Sequence, residues 1–80
     1  MSYDYEKMGA LIRHIRKEKG LSQEVVSGLA GIGRTHLTMI ETGGKNASVE
    51  TLWRVALAMG MPLSELFMLY EKSMEEGEQK

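Results

Sequence analysis

Apolar residues recur every three or four positions through most of this chain, and glycines break the recurrence into five short segments. Met8, Leu11, Ile12 and Ile15 form a first stripe that runs out at Lys19-Gly20. Such spacings place side chains on one side of an α-helix. A second segment opens at Ser22, whose hydroxyl suits a helix N-cap, with Val25, Val26 and Leu29 expected inward. A third runs from about Arg34 with Leu37 and Ile40 inward. The fourth follows Ser48 and lines up Val49, Leu52, Trp53, Ala56 and Leu57, expected to close the core over the first helix. The fifth starts at Pro62, a residue tolerated in a first helical turn, and carries Leu63, Leu66, Phe67 and Tyr70. No segment sustains period-two alternation, so the expected fold class is all-α, a compact five-helix bundle. The polar, acidic residues from about Ser73 are expected to fray.

The second and third segments sit close together. A helix over roughly Gln23–Ala30, the turn Gly31-Ile32-Gly33 and a helix over roughly Arg34–Glu41 make a helix-turn-helix. Ser27 is small where the two helices approach, Gly31 accepts the left-handed conformation of the turn, and Ile32 is expected to plug the core beneath it.

Length and composition narrow the picture. Eighty residues make one domain, 1–80, with a core over about 8–70 and an acidic tail over about 71–80. With no cysteine, neither disulfides nor a thiolate zinc site can staple the fold. His14 lies beside Arg13 on a charged helix face, and His36 has no acidic partner at ligand spacing, so no metal and no cofactor is expected. No serine has a histidine and a carboxylate in a recognised order, and Gly31-Ile32-Gly33 lacks the later glycine and lysine of a phosphate loop. The chain is therefore expected not to be an enzyme and to have no catalytic residue. No apolar run approaches the ~20 residues of a membrane span, and the start, Met1-Ser2-Tyr3-Asp4-Tyr5-Glu6, does not read as a signal peptide. A cytoplasmic protein without a membrane partner is expected.

Net charge is −1, yet it is polarised: residues 1–20 sum to +2 and residues 46–80 to −3. A nucleic-acid binder needs a local basic footprint, which overall charge does not measure. On the third helix, with Leu37 and Ile40 turned inward, Thr35, Thr38, Met39 and Thr42 fall on the opposite face, flanked by Arg34 and His36. Such a face suits a DNA major groove, where arginine pairs with guanine O6 and N7 and threonine packs on a thymine methyl. A solvated helix face that reads nothing is the plainer alternative.

The stretch Leu21-Ser22-Gln23-Glu24, Ala30 to Leu37 and Ile40-Glu41-Thr42-Gly43, with the later Val49-Glu50-Thr51-Leu52 and Met61 to Phe67, resembles the phage-repressor/Cro-type helix-turn-helix family, whose fold is lambda-repressor-like. The resemblance covers roughly residues 8–70. Within the family, Arg34-Thr35-His36 with Ile40-Glu41 and the small size are most similar to controller proteins of restriction–modification operons. The resemblance implies base reading by Arg34, Thr35, His36 and Thr38, and phosphate contacts from Ser22, Gln23, Thr42, Lys45 and Asn46. It also implies a partly buried ion pair between Arg16 and Glu41. The chain departs from the family in the loop after the third helix, where arginine and proline are frequent. Here Lys45 stands alone, and neither Ala47 nor Ser48 is proline.

The fifth helix carries more apolar surface than one stripe uses. Met61, Leu66, Phe67, Met68, Leu69 and Tyr70, with Met59, are expected to form a homodimer interface, against the blander reading of a core with scattered exposed methionines. Two recognition helices one DNA turn apart would read a pseudo-palindrome. The expected partners are thus double-stranded DNA and a second copy, with RNA polymerase a further partner of such a regulator. An antitoxin bound mainly to a toxin, or a protein-interaction module of the same fold, is the alternative that the acidic stretch 71–80 favours.

Overall fold

The computed structural model describes residues 2–78, among which there are five helices and no strand. They are α1 (Tyr5–Glu18), α2 (Gln23–Ala30), α3 (Arg34–Glu41), α4 (Val49–Ala58) and α5 (Leu63–Glu78). Caps set most of the starts. Asp4 accepts from the Glu6 and Lys7 amides, Ser22 from Val25 and Ser48 from Thr51, each at 3.0–3.1 Å. Such side chains satisfy N–H groups that the first turn leaves without partners. At Gly31 the backbone takes φ +70°, and the Ile32 amide returns to the Ser27 carbonyl at 3.0 Å. That left-handed cap turns the chain from α2 into α3 within three residues.

The core draws on every helix. Met8, Ile12 and Ile15 of α1 meet Val26 and Ala30 of α2, Leu37 and Ile40 of α3, Leu52, Val55 and Ala56 of α4, Met59 and Met61 just beyond it, and Leu66 and Tyr70 of α5. Helix α1 also approaches α3 at Gly9. A methyl group there would overlap the backbone carbonyl oxygen of Ile40. No single helix among the described residues is long and apolar enough to cross a membrane.

Several expectations about inward residues are corrected. Val25 and Leu29 are exposed, Leu29 at 70%; Val26 is buried as expected, together with Ser27 and Ala30. On α4 two apolar stripes run side by side. Leu52, Val55, Ala56 and Met59 go inward, leaving Val49 (68% exposed), Trp53 and Leu57 outside. A helix this narrow turns only one such stripe to its neighbours.

The proposed subunit face on α5 changes more. Met61, Leu66, Tyr70 and Met59 belong to the core of this one chain, and Phe67 and Leu69 pack against it. Met68 is exposed, at 61%. The N-terminal segment covers part of this side. Tyr3 lies 5.2 Å from the Tyr70 ring and 6.2 Å from Phe67, and the Asp4 amide donates to the Tyr70 hydroxyl at 2.8 Å. Nor does the chain loosen at Ser73: α5 continues to Glu78, with Met74 packed on the core. Gln79 and Lys80, the end of the expected tail, lie outside the described residues.

Candidate nucleic-acid interface

Helix α3 is eight residues long and is held from behind by Leu37, Ile40 and Glu41, all buried. Its outer side carries Arg34, Thr35 and Thr42, all exposed, and Met39, 43% exposed. His36 is half-buried at the flank. Gly33 precedes the helix and offers no capping side chain. The first-turn N–H groups, with the positive end of the helix dipole, thus compete with no cap for an anion.

The threonines expected to read bases divide. The Thr38 hydroxyl, half-buried, donates to the Arg34 carbonyl at 3.0 Å and lies 3.2 Å from Gln23 Oε1. Its position is therefore between α2 and α3 rather than on the free outer face. Thr42 donates to the Thr38 carbonyl at 2.9 Å. Thr35 keeps the outward place given to it. Met39, left out of the base-reading set, shares that outer side.

Gln23 also has partners within the protein. Its amide, expected at a DNA phosphate, is engaged inside the protein, with Nε2 donating to Glu41 Oε1 at 3.1 Å. Ser22 uses its hydroxyl as the α2 cap. Lys45 and Asn46 are exposed in the loop after α3.

Beneath this surface lies an ionic centre. Arg16 of α1 donates through Nε to Glu41 Oε2 at 2.7 Å and through Nη2 to Oε1 at 3.0 Å. Its Nη1 reaches the Leu21 carbonyl at 2.9 Å. Arg16 is 7% and Glu41 4% exposed, yet no buried side-chain nitrogen or oxygen among the described residues lacks a partner. The hydrogen bonds that Arg16 donates to Glu41 raise its pKa above the ordinary value, more than burial lowers it. A bidentate pair fixes direction as well as distance, so α1 grips the last turn of α3. The family resemblance implied both partners; reading of the residues alone did not pair them. It missed Gly9, whose signal was a glycine inside an otherwise regular helical stripe, and it missed the Gln23 link, which left no local signal.

The helix-turn-helix family profile matches residues 12–66. The chain belongs to the helix-turn-helix family. This family member is similar to the ImmF control region 10 kDa protein of Bacillus phage phi105, 40% identical over 74 residues that cover 92% of this chain and 82% of that one. Among solved structures it is similar to the restriction–modification controller protein C.AhdI from Aeromonas hydrophila (TM-score 0.75, 35% identity, 79% of this chain and 96% of that one). It is also similar to the controller protein C.Esp1396I, solved as a tetramer in complex with its natural 35 base-pair operator (TM-score 0.82, 25% identity, 90% and 95% covered). The resemblance to phage control and restriction–modification controller proteins is thereby borne out, and so is the all-α helix-turn-helix fold.

Proposed function

We propose that this helix-turn-helix protein is a sequence-specific DNA-binding transcriptional regulator, with α3 in the major groove and a pseudo-palindromic operator as its target. The observation that carries the reading is the outer side of α3. Arg34, Thr35 and Met39 are exposed together on a helix that a buried ion pair holds rigidly. Arginine supplies donors for guanine, while the threonine methyl and the methionine supply apolar contact for thymine. Lys45 and Asn46, exposed in the loop after α3, would meet phosphates and set register without reading sequence. The likeness to C.Esp1396I, solved as a tetramer on its operator, supports DNA as the partner, and the controller likeness supports regulation of a restriction–modification operon. The relatives are control proteins, and we assign this chain no catalysis and a cytoplasmic place beside its DNA. Contact with RNA polymerase belongs to the same proposal.

Selection of bound duplexes from a random pool tests this directly. Enrichment of a symmetric motif is expected; a pool without enrichment overturns the reading. On the enriched duplex, Arg34→Ala is expected to cost ~1–3 kcal/mol and to relax preference at one base pair. Equal loss on unrelated DNA would remove Arg34 from base reading.

The homodimer is retained in this proposal with a different face. Val49, Trp53 and Leu57 follow one another at intervals of four along the exposed side of α4, an apolar stripe of the kind that association covers. Trp53→Lys is expected to shift the sedimenting species from two chains to one. A parent protein that sediments as one chain at every concentration would dispose of the dimer.

A further inference from the structure

Gln23 is the first residue of α2, and one Nε2 proton and the Oε1 of its side-chain amide are directed at α3. A carboxylate can only accept, so the nitrogen must face Glu41 Oε1 (3.1 Å), which turns the amide oxygen toward the Thr38 hydroxyl (3.2 Å). Those partners are three residues apart, one turn of α3, so the amide bridges that turn from the side. Its footing is firm, because Arg16 clamps the same carboxylate through two hydrogen bonds. The single Thr38 proton faces two acceptors, Gln23 Oε1 and, at 3.0 Å, the Arg34 carbonyl of its own helix. A continuous relay thus runs from Arg16 through Glu41 and Gln23 to Thr38.

Apolar packing by Leu37 and Ile40 holds α3 against the core but is non-directional. It does not by itself set the rotation of the helix about its axis. Base-edge hydrogen bonds tolerate misorientation of only about 10–20°. From this geometry we propose that Gln23 is a positioning residue for DNA recognition. It fixes the rotation of α3 through Glu41 and Thr38, and so governs base discrimination by Arg34, Thr35 and Met39 rather than binding phosphate for affinity. The proposal rests on the DNA-binding reading above.

The test compares the parent, Gln23→Met, Thr38→Val and the double variant. Methionine keeps length without hydrogen bonding, and valine keeps the shape of threonine without its hydroxyl. Each is titrated on the duplex that the parent enriches from a random pool and on a scrambled duplex of equal composition, across several salt concentrations. Thermal unfolding confirms that each variant is folded. The expected result is a loss of about tenfold on the enriched duplex for each single variant, little change on the scrambled one, and an unchanged salt slope. The double variant should be no worse than either single, because both cut one relay. Equal losses on both duplexes would make Gln23 a phosphate contact and overturn the proposal, as would additive losses or none; the amide is neutral, so the salt slope stays unchanged in either case. Failure of the parent to enrich any duplex would instead overturn the DNA reading itself, before any variant is compared.

Discussion

Glu41→Ala is expected to lower the unfolding free energy by about 3–5 kcal/mol, a large share of the roughly 5–15 kcal/mol that a small domain possesses. The reason lies in what remains. Arg16, 7% exposed, would keep the Leu21 carbonyl as a partner but lose its counter-charge and two of its three hydrogen bonds. The Gln23 amide would lose its acceptor as well. Desolvation of a guanidinium costs several kcal/mol, which only a matched carboxylate offsets. Arg16→Ala should cost a similar amount for the mirrored reason, since Glu41 is more deeply buried still. Replacing both at once, Arg16→Met with Glu41→Leu, is expected to cost less than either single change, because no unpaired charge is left inside. Urea unfolding with an unchanged m-value measures this. A single-variant loss below about 1 kcal/mol would show that the pair is solvated like a surface bridge.

Gly9→Ala is expected to destabilise by about 2 kcal/mol. Two effects oppose each other here. Alanine gains up to about 1 kcal/mol over glycine inside a helix. Against that, the added methyl would overlap the Ile40 carbonyl oxygen and lie 3.0 Å from its carbon, both backbone atoms that no rotamer change can move aside. Relief requires α1 and α3 to separate, at the overpacking cost of about 1–3 kcal/mol or more. Separation also lengthens the Arg16–Glu41 bridge, which joins the same two helices, so the loss wins. Gly28 supplies the internal control. It is exposed in α2, and a methyl group there would have no neighbour within 4 Å, so Gly28→Ala should raise stability by about 0.5–1 kcal/mol. Thermal melts of the two variants should therefore move in opposite directions. A stabilised Gly9→Ala protein would mean that the helices part freely.

Much of the fold was legible because its signals are local. The stripe Met8, Ile12, Ile15, the caps Ser22 and Ser48, and the turn Gly31-Ile32-Gly33 each act within a few residues, and the two helices of the motif begin and end where those residues predict. On α4 the same reasoning misled. Both Leu52/Val55/Ala56/Met59 and Val49/Trp53/Leu57 are apolar at helical spacing, and nothing within the segment says which set faces the bundle. On α5 a surplus of apolar residues was read as a face for a second copy. Much of it is instead used by this chain's own core and by Tyr3, which arrives from the opposite end of the sequence.

Spacing, capping residues and glycine positions were enough to establish five helices, the helix-turn-helix and an outward Arg34 and Thr35, since these features depend on neighbours one or two turns away. The destination of the Gln23 amide, the withdrawal of Thr38 from the outer face and the close approach at Gly9 belong to the folded chain alone. They join residues 15, 18 and 31 positions apart, and such distant partners meet only when the helices pack, which no periodicity within a helix encodes.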